Sequence, residues 1–107
     1  MNKDKIIKKS EDFTKIISSR QSLKNKYFSV FYINSDKTLY GITVPKKVGK
    51  ANVRNKLKRQ VKNIIIQNEK DIQTNISYVI IIKEAAKELS YTSLEQELLN
   101  LLKKVRN

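Results

Sequence analysis

The chain has 107 residues and a net charge of +13. This length suits one domain with a modest core, and 39% apolar residues are too many for a disordered polycation. The sequence has neither cysteine nor histidine, which excludes disulfides, thiol chemistry, Cys/His zinc sites and histidine-based acid–base catalysis. No apolar run could span a bilayer, and we expect no signal peptide. The excess of positive charge predicts a polyanionic partner, either nucleic acid or an anionic membrane.

A first helix is predicted over about residues 10–19. Ser10 is a favourable N-cap residue, and the two acidic residues that follow it suit the positive end of the helix dipole. Phe13, Ile16 and Ile17 share one helical face. We therefore expect this helix to pack on the rest of the protein through that face.

Two strands are predicted next. Residues 26–33 are aromatic and β-branched, and neither of their two strand faces is polar. One face must meet the core, and the other must meet a second layer or a groove that takes a ligand. After a turn over residues 34–37, residues 39–44 predict the next antiparallel strand, which Pro45 ends.

The second half of the chain predicts a helix over about residues 51–68 and a near-continuous apolar strand over 77–83, which suits burial on both faces. The last helix is expected to begin near Ser90 or Thr92, because Thr92-Ser93-Leu94-Glu95 fits a capping box. The order helix, strand, strand, helix, strand, helix predicts an α+β fold. We expect one mostly antiparallel sheet with helices packed on it, in a single domain over residues 1–107.

Positive charge is concentrated between Lys46 and Lys62, where eight of seventeen residues are Lys or Arg, and no acidic residue occurs from Lys37 to Asn68. A charge run is usually a solvated face, but a merely soluble helix would mix the two charge signs. At about 100° per residue, the apolar residues fall on one arc of about 120° and the basic ones on an adjoining arc of about 140°. The repulsion along the second arc predicts a polyanion that neutralises it. The apolar arc holds Val53, Leu57, Val61, Ile64 and Ile65. The basic arc holds Arg54, Asn55, Lys58, Arg59 and Lys62.

This segment resembles the signature of the bacterial ribonuclease P protein component. The hallmark of that family is Arg-Asn, two residues, then Lys/Arg-Arg, on one helix after a Lys-Lys-x-Gly loop. Here the loop is Lys46-Lys47-Val48-Gly49, and the helix carries Arg54-Asn55 and Lys58-Arg59. The resemblance extends over nearly the whole chain in the same order, at Glu11-Asp12-Phe13, Asn25-Lys26-Tyr27-Phe28 and Leu89-Ser90-Tyr91. The chain departs from the family pattern at Ile17, Pro45, Asn52 and Lys83-Glu84-Ala85.

The resemblance implies a small α/β sandwich with a left-handed βαβ crossover, where the general expectation is right-handed. It implies a cytoplasmic protein subunit of ribonuclease P, which assists a catalytic RNA in hydrolytic removal of the 5′ leader from precursor tRNA. The chemistry is then expected from Mg²⁺ bound mainly by the RNA subunit and the substrate, with no catalytic residue, membrane contact or disulfide partner in this chain.

The resemblance also assigns residues to two contacts. The catalytic RNA is expected to bind Lys46, Lys47, Lys50, Arg54, Asn55, Lys58, Arg59 and Lys62. The single-stranded leader is expected in a cleft between the first helix and the sheet, lined by Phe13, Ile17 and Phe31. Ordinary core packing is the alternative interpretation of these three apolar residues.

Three other functions stay open at this point. A basic ribosomal or ribosome-assembly protein would have the same composition, and the RNA that co-purifies with the chain would discriminate it. A protein-only nuclease would cleave precursor tRNA without any RNA subunit, although the ten acidic residues are scattered and form no evident two-metal site. A DNA-binding nucleoid protein would fit the charge, but the sequence carries no recognisable DNA-binding motif.

Overall fold

The computed structural model describes residues 6–7, 10–19 and 21–105. Within these ranges the chain forms three α-helices and one four-stranded sheet. The helices are α1 (Ser10–Ile17), α2 (Ala51–Gln67) and α3 (Tyr91–Leu102). The strands are β1 (Ser22–Lys24), β2 (Phe28–Asn34), β3 (Leu39–Thr43) and β4 (Ile76–Ile82). Short 3₁₀ turns cover Lys46–Val48, Glu69–Asp71 and Glu84–Glu88.

The strands lie in the order β1-β2-β4-β3. Both β1 and β4 pair antiparallel with β2, whereas β3 pairs parallel with β4. The predicted α+β class, with one mostly antiparallel sheet and helices packed on it, is therefore confirmed. The parallel pair β3 and β4 is joined through α2, which makes a βαβ unit. The left hand of this crossover and the extent of the domain over residues 1–107 stay predictions.

The pairing of β3 differs from the sequence-based expectation. The turn after β2 predicted that β3 would follow as its antiparallel neighbour, but β4 lies between the two strands. Val79 of β4 is paired with Phe31 on one side and with Gly41 on the other. The apolar β4 has the larger area to bury, so it lies at the centre of the sheet. The turn after β2 is a local feature, and it cannot predict that β4 and β3 compete for the position beside β2.

Strand β1 was not predicted from the sequence. Ser22–Lys24 is only three residues long, and it pairs antiparallel with β2 at the edge of the sheet. Asn25 makes the turn between the two strands: its Oδ1 accepts hydrogen bonds from the backbone N–H groups of Tyr27 and Phe28, both at 2.8 Å. Its backbone oxygen accepts a further hydrogen bond from Nζ of Lys83 at 2.8 Å. A three-residue strand held by such contacts has no periodicity to detect.

The start of α3 settles one alternative. Ser90 is the N-cap residue, and its side chain accepts a hydrogen bond from the backbone N–H of Ser93 at 3.2 Å. The capping box that was predicted at Thr92 is therefore wrong, because Thr92 lies inside the first turn of the helix. The Glu95 carboxylate accepts instead from the Asn68 side-chain amide at 3.0 Å, which ties α3 to the end of α2.

The main core lies between one face of the sheet and helices α2 and α3. Tyr40 and Tyr78 are buried there and stack with their ring centroids 5.5 Å apart. The predicted apolar arc of α2 faces this core, because Leu57, Val61, Ile64 and Ile65 are all buried, and Val53 packs partly buried at its edge. Burial of this arc fixes the rotation of α2 and so decides which of its residues face solvent.

The other face of the sheet is covered in part by α1. Ile7, Ile16 and Val79 are buried there, and Phe13 and Phe31 pack against them partly buried. Strand β4 is consequently buried on both faces, as its near-continuous apolar sequence predicted. Among the described residues, no helix has the length and apolar character needed to cross a membrane.

Candidate RNA interface

Helix α2 presents four of the eight predicted RNA-binding residues together on one exposed side. Asn55, Lys58 and Arg59 are exposed, and Lys62 is partly exposed. These four side chains line one open pocket of about 320 Å³ on the surface of the helix. Four of the five residues of the predicted basic arc thus converge on one surface. A concave surface lined by cations and an amide matches the shape and charge of a phosphate backbone.

The basic loop before α2 adds a second group of cations. Lys46 and Lys47 begin the 3₁₀ turn, and Lys50 is the N-cap residue of α2; all three are exposed. Val48 between them is fully buried, so it anchors the loop in the core. The side chain of Lys50 makes no capping hydrogen bond, and the first turn of α2 contains no acidic residue.

Arg54 stands apart from the other residues of the basic arc. It is partly buried, and its Nε donates a hydrogen bond to the backbone oxygen of Gly49 at 3.1 Å. The sequence predicted Arg54 in the basic arc and assigned it only to RNA. The structure gives it an additional contact with the basic loop, which helical periodicity could not show because it depends on the path of the loop.

Sequence reasoning missed Lys87, which lies far outside the motif. The Nζ of Lys87 donates to the backbone oxygen of Val48 at 3.3 Å and lies 3.5 Å from the Glu84 carboxylate. The residues 84–88 form the 3₁₀ turn between β4 and α3. No spacing rule connects this turn with the basic loop, so only the tertiary fold could show the contact.

Phe13 of the predicted leader cleft lies close to the basic helix. Together with Lys58 and Lys62 it lines a second pocket of about 300 Å³, whose other lining residues are Ile6, Ile7, Tyr40 and Ile42. The Phe13 ring sits directly over Gly41 of β3, since an added Cβ at Gly41 would lie 2.7 Å from its Cε1 and Cζ atoms. The structure therefore brings one cleft residue and two residues of the basic arc to the same pocket.

Phe31 and Ile17 lie elsewhere on the same layer. Phe31 is partly buried against the cluster under α1, and Ile17 at the end of α1 is 40% exposed. The face of the sheet around Phe31 also carries Ser29 and Ile81, which are paired with each other and partly exposed. This side of the sheet is therefore not closed by α1, and whether the leader lies there stays a prediction.

No three histidine, cysteine, aspartate or glutamate side chains come together to hold a metal ion within the described ranges. The resemblance assigned Mg²⁺ mainly to the RNA subunit and the substrate, and this assignment stays a prediction. Three of the four residues that line the pocket on α2 are Lys or Arg, and a cationic lining favours anions over metal ions.

An α+β protein with an acid-free basic helix and loop on one surface belongs to the class of nucleic-acid-binding proteins. Comparison with known proteins narrows this class: a sequence model of the Ribonuclease P family matches residues 1–106. The ribonuclease P protein component of Mycoplasma mycoides is 36% identical over 99% of this chain and 100% of its own length. That of Streptococcus gordonii is 34% identical over 96% of this chain and 87% of its own length.

Solved structures agree with the sequence comparison. The ribonuclease P protein of Staphylococcus aureus superposes with a TM-score of 0.87 at 31% identity, over 96% of this chain and 98% of that one. The protein from Thermotoga maritima gives a TM-score of 0.88 at 33% identity, over 94% of this chain and 97% of that one. The chain belongs to the bacterial ribonuclease P protein component family. The family and fold predictions are confirmed, whereas the roles of individual residues stay predictions.

Proposed function

We propose that this chain, as the protein subunit of ribonuclease P, binds the catalytic RNA through α2 and the basic loop and binds the 5′ leader of precursor tRNA beside α1. The observation that carries the proposal is the convergence of Asn55, Lys58, Arg59 and Lys62 on one surface of α2. The rotation of α2 is fixed by its buried arc, so these side chains are presented to a partner before it arrives. Such preorganisation reduces the ordering cost of binding.

The contact with the catalytic RNA is proposed to be mainly electrostatic. The stretch from Lys37 to Asn68 contains no acidic residue to neutralise the cations of the loop and helix. Each phosphate that they neutralise would release counterions, and the affinity should fall with salt by a slope of about 0.7 to 0.9 per phosphate contact. Arg59 in particular offers a planar fork of donors for phosphate oxygens or base edges.

The leader contact is proposed on the layer formed by α1 and the sheet. Phe13 and Phe31 are partly buried aromatic residues on that layer, and Ile17 is exposed at its edge. Aromatic side chains of this kind can stack with unpaired bases, which suits a single-stranded leader. Lys58 and Lys62 share a pocket with Phe13, and this supports a leader path that passes close to the cations of α2.

Hydrolysis of the phosphodiester bond is proposed to depend on Mg²⁺ held mainly by the catalytic RNA and the substrate. It leaves a 5′-phosphate on the mature tRNA and a 3′-hydroxyl on the leader. In this proposal the chain binds and orients the two RNAs in the bacterial cytoplasm and takes no part in proton transfer.

Reconstitution tests the proposal. The purified chain, its cognate catalytic RNA and both together are incubated with precursor tRNA at low Mg²⁺ concentration, and the cleavage rate is measured. We expect no cleavage by the chain alone, slow cleavage by the RNA alone and faster cleavage by the complex. Cleavage at the same site by the RNA-free chain, abolished by changing one acidic residue, would instead establish a protein-only nuclease.

A further inference from the structure

We propose that Lys87 and Arg54 are positioning residues, which hold the basic loop in the shape that presents Lys46, Lys47 and Lys50 to RNA. This rests on the proposed function of the loop, and it deepens that function. Lys87 lies outside the family motif identified in the sequence, in the 3₁₀ turn Glu84–Glu88.

The two contacts fall on consecutive backbone oxygens of the loop. Lys87 Nζ lies 3.3 Å from the oxygen of Val48, and Arg54 Nε lies 3.1 Å from the oxygen of Gly49. The two donors come from different parts of the chain, 39 and five residues away from their acceptors. The loop is thus held between the first turn of α2 and the segment that follows β4.

Packing around the two contacts supports the same role. Val48 and Ala86 are both fully buried in the main core, so the loop and the 3₁₀ turn are each anchored beside their polar contacts. The hydrogen bonds inside the loop are short-range: Val48 N–H to Pro45 O at 3.0 Å and Gly49 N–H to Lys46 O at 3.3 Å. Two such bonds within a five-residue loop do not by themselves fix its position on the protein.

Electrostatics explains why the loop needs anchors. Lys46, Lys47 and Lys50 are exposed and carry like charges, so their repulsion favours an extended and mobile loop. Lys87 and Arg54 add further positive charge near these lysines. The resulting repulsion is unfavourable, and the hydrogen bonds that the two side chains donate to the loop offset it. Glu84, 3.5 Å from Lys87, reduces this repulsion and directs the ammonium group. The Arg54 contact uses one of five guanidinium N–H donors, so Arg54 can position the loop and also donate to a phosphate.

The test uses two variants and one control. Lys87→Met removes the ammonium group and keeps an unbranched apolar side chain, and Arg54→Lys keeps the charge but removes the Nε donor. Lys104→Met is the control for Lys87→Met, because it removes the same charge from an exposed residue in the segment after α3. Hydrogen exchange of the Val48 and Gly49 amides is measured by NMR in the free protein, and affinity for the catalytic RNA is measured at several salt concentrations.

We expect both variants to exchange these two amides about two- to tenfold faster, the factor that corresponds to losing one hydrogen bond. Affinity for the catalytic RNA should fall by a similar factor, while the salt dependence for Lys87→Met should stay that of the wild type. The control should leave the exchange rates unchanged. A melting curve for each variant confirms that the rest of the protein is folded.

Three results would overturn the proposal. Unchanged exchange in both variants would show that the loop needs neither anchor. Faster exchange with unchanged RNA affinity would show that anchoring does not serve binding. A salt dependence for Lys87→Met reduced by about 0.7 to 0.9 would make Lys87 a direct phosphate contact. Exchange is measured without RNA, so failure of the wild-type chain to bind the catalytic RNA would count against the proposed function and not against the anchoring.

Discussion

At the scale of single residues, Gly41 decides how closely α1 can approach the sheet. The Phe13 ring occupies the space in which any other residue at position 41 would place its Cβ, and Ile7 Cδ1 lies 3.3 Å from the same point. Glycine is therefore required at position 41 because the Phe13 ring approaches the backbone closely there. This contact packs α1 against β3. The position of α1 in turn determines where Phe13 lies relative to Lys58 and Lys62.

Gly41→Ala should lower the free energy of unfolding by about 1–3 kcal/mol, the usual cost of overfilling a packed site. Urea unfolding of the two proteins measures the difference. Gly49→Ala is the matched control: its Cβ would lie 3.3 Å from Cβ and Cγ1 of Val53, a looser contact than the 2.7 Å at Gly41, so we expect a smaller loss of stability than for Gly41→Ala. Equal stability of Gly41→Ala and the wild type would show that Phe13 does not rest on β3 in this way.

Arg59 gives the cleanest test of the basic arc, because Arg54 also holds the loop. Arg59 is exposed, so Arg59→Ala should change the stability by only about 0.5 kcal/mol. Its affinity for the catalytic RNA should fall, with the salt dependence reduced by about 0.7 to 0.9 for the lost phosphate contact. Filter binding over a range of salt concentrations and a melting curve provide both measurements.

The control for Arg59→Ala is Lys104→Ala, which also removes one exposed positive charge. We expect Lys104→Ala to bind the catalytic RNA nearly as the wild type does. If both variants lose the same affinity, then net charge alone determines binding, and the arc has no specific role.

At the scale of elements, β2 divides its side chains between two environments. Phe28 and Val30 are fully buried in the main core, whereas Phe31 points to the layer of α1 and stays partly exposed. The sequence predicted this division, since neither strand face is polar and two apolar faces need two apolar environments. It did not decide whether the second environment is packing or a ligand groove, and the structure shows only that Phe31 packs partly buried against the cluster under α1.

Phe31→Ala should weaken binding of precursor tRNA to the holoenzyme more than binding of mature tRNA, which lacks the leader. Loss of one stacked base should cost about 1–3 kcal/mol, or roughly five- to 150-fold in affinity. Equilibrium binding of both RNAs, with a melting curve for the variant, measures the effect. If Phe31 only packs, the variant should lose up to about 3–5 kcal/mol of stability and bind both RNAs equally weakly.

Val79→Ala is the matched control for Phe31→Ala. Val79 is paired with Phe31 on the same face of the sheet, but it is fully buried under α1. We expect Val79→Ala to lower the melting temperature and to affect both RNAs alike. A preference of Val79→Ala for mature tRNA would mean that the assay reports stability and not the leader contact.

The sequence could predict the elements in which apolar residues recur with a regular spacing or form a long run. The buried arc of α2 and the doubly buried β4 follow from residue spacing alone, because burial selects apolar residues at those positions. The sheet order and β1 could not be predicted, since pairing depends on competition between distant segments. The basic arc of α2 could likewise be predicted from the sequence. The contact of Lys87 with the basic loop could not, because it joins residues that are 39 positions apart in the chain.

At the scale of the whole molecule, the stacked pair Tyr40 and Tyr78 makes the stability of the fold depend on pH. Burial, and then the charge of Glu69, raises the pKa of Tyr40 to about 12 from an ordinary value of 10.0. Burial also raises the pKa of Tyr78, with a further contribution from Tyr40. The Tyr78 hydroxyl donates to the backbone oxygen of Gln73 at 2.6 Å, which also favours the neutral form.

The raised pKa values predict loss of stability at alkaline pH. An unfolded chain ionises these tyrosines near pH 10, whereas the folded chain keeps them protonated. Stability from this source should be complete below pH 10 and should fall as the pH rises through about 12. Melting temperatures from pH 8 to 12, with tyrosinate absorbance, test this expectation. Tyr40→Phe should make the decline less steep, and an identical decline would exclude the contribution of Tyr40.

The position of β4 between β2 and β3 also has a consequence for synthesis of the chain on the ribosome. The two outer neighbours are made first, and the strand that separates them emerges more than thirty residues after β3 ends. Until then β2 and β3 are joined only by a short turn, and they are free to form a hairpin with each other that the native sheet does not contain. The nascent chain must avoid or open this hairpin before β4 can insert. We therefore expect substitutions that weaken the turn over residues 35–38 to speed the insertion of β4 into the sheet of the nascent chain.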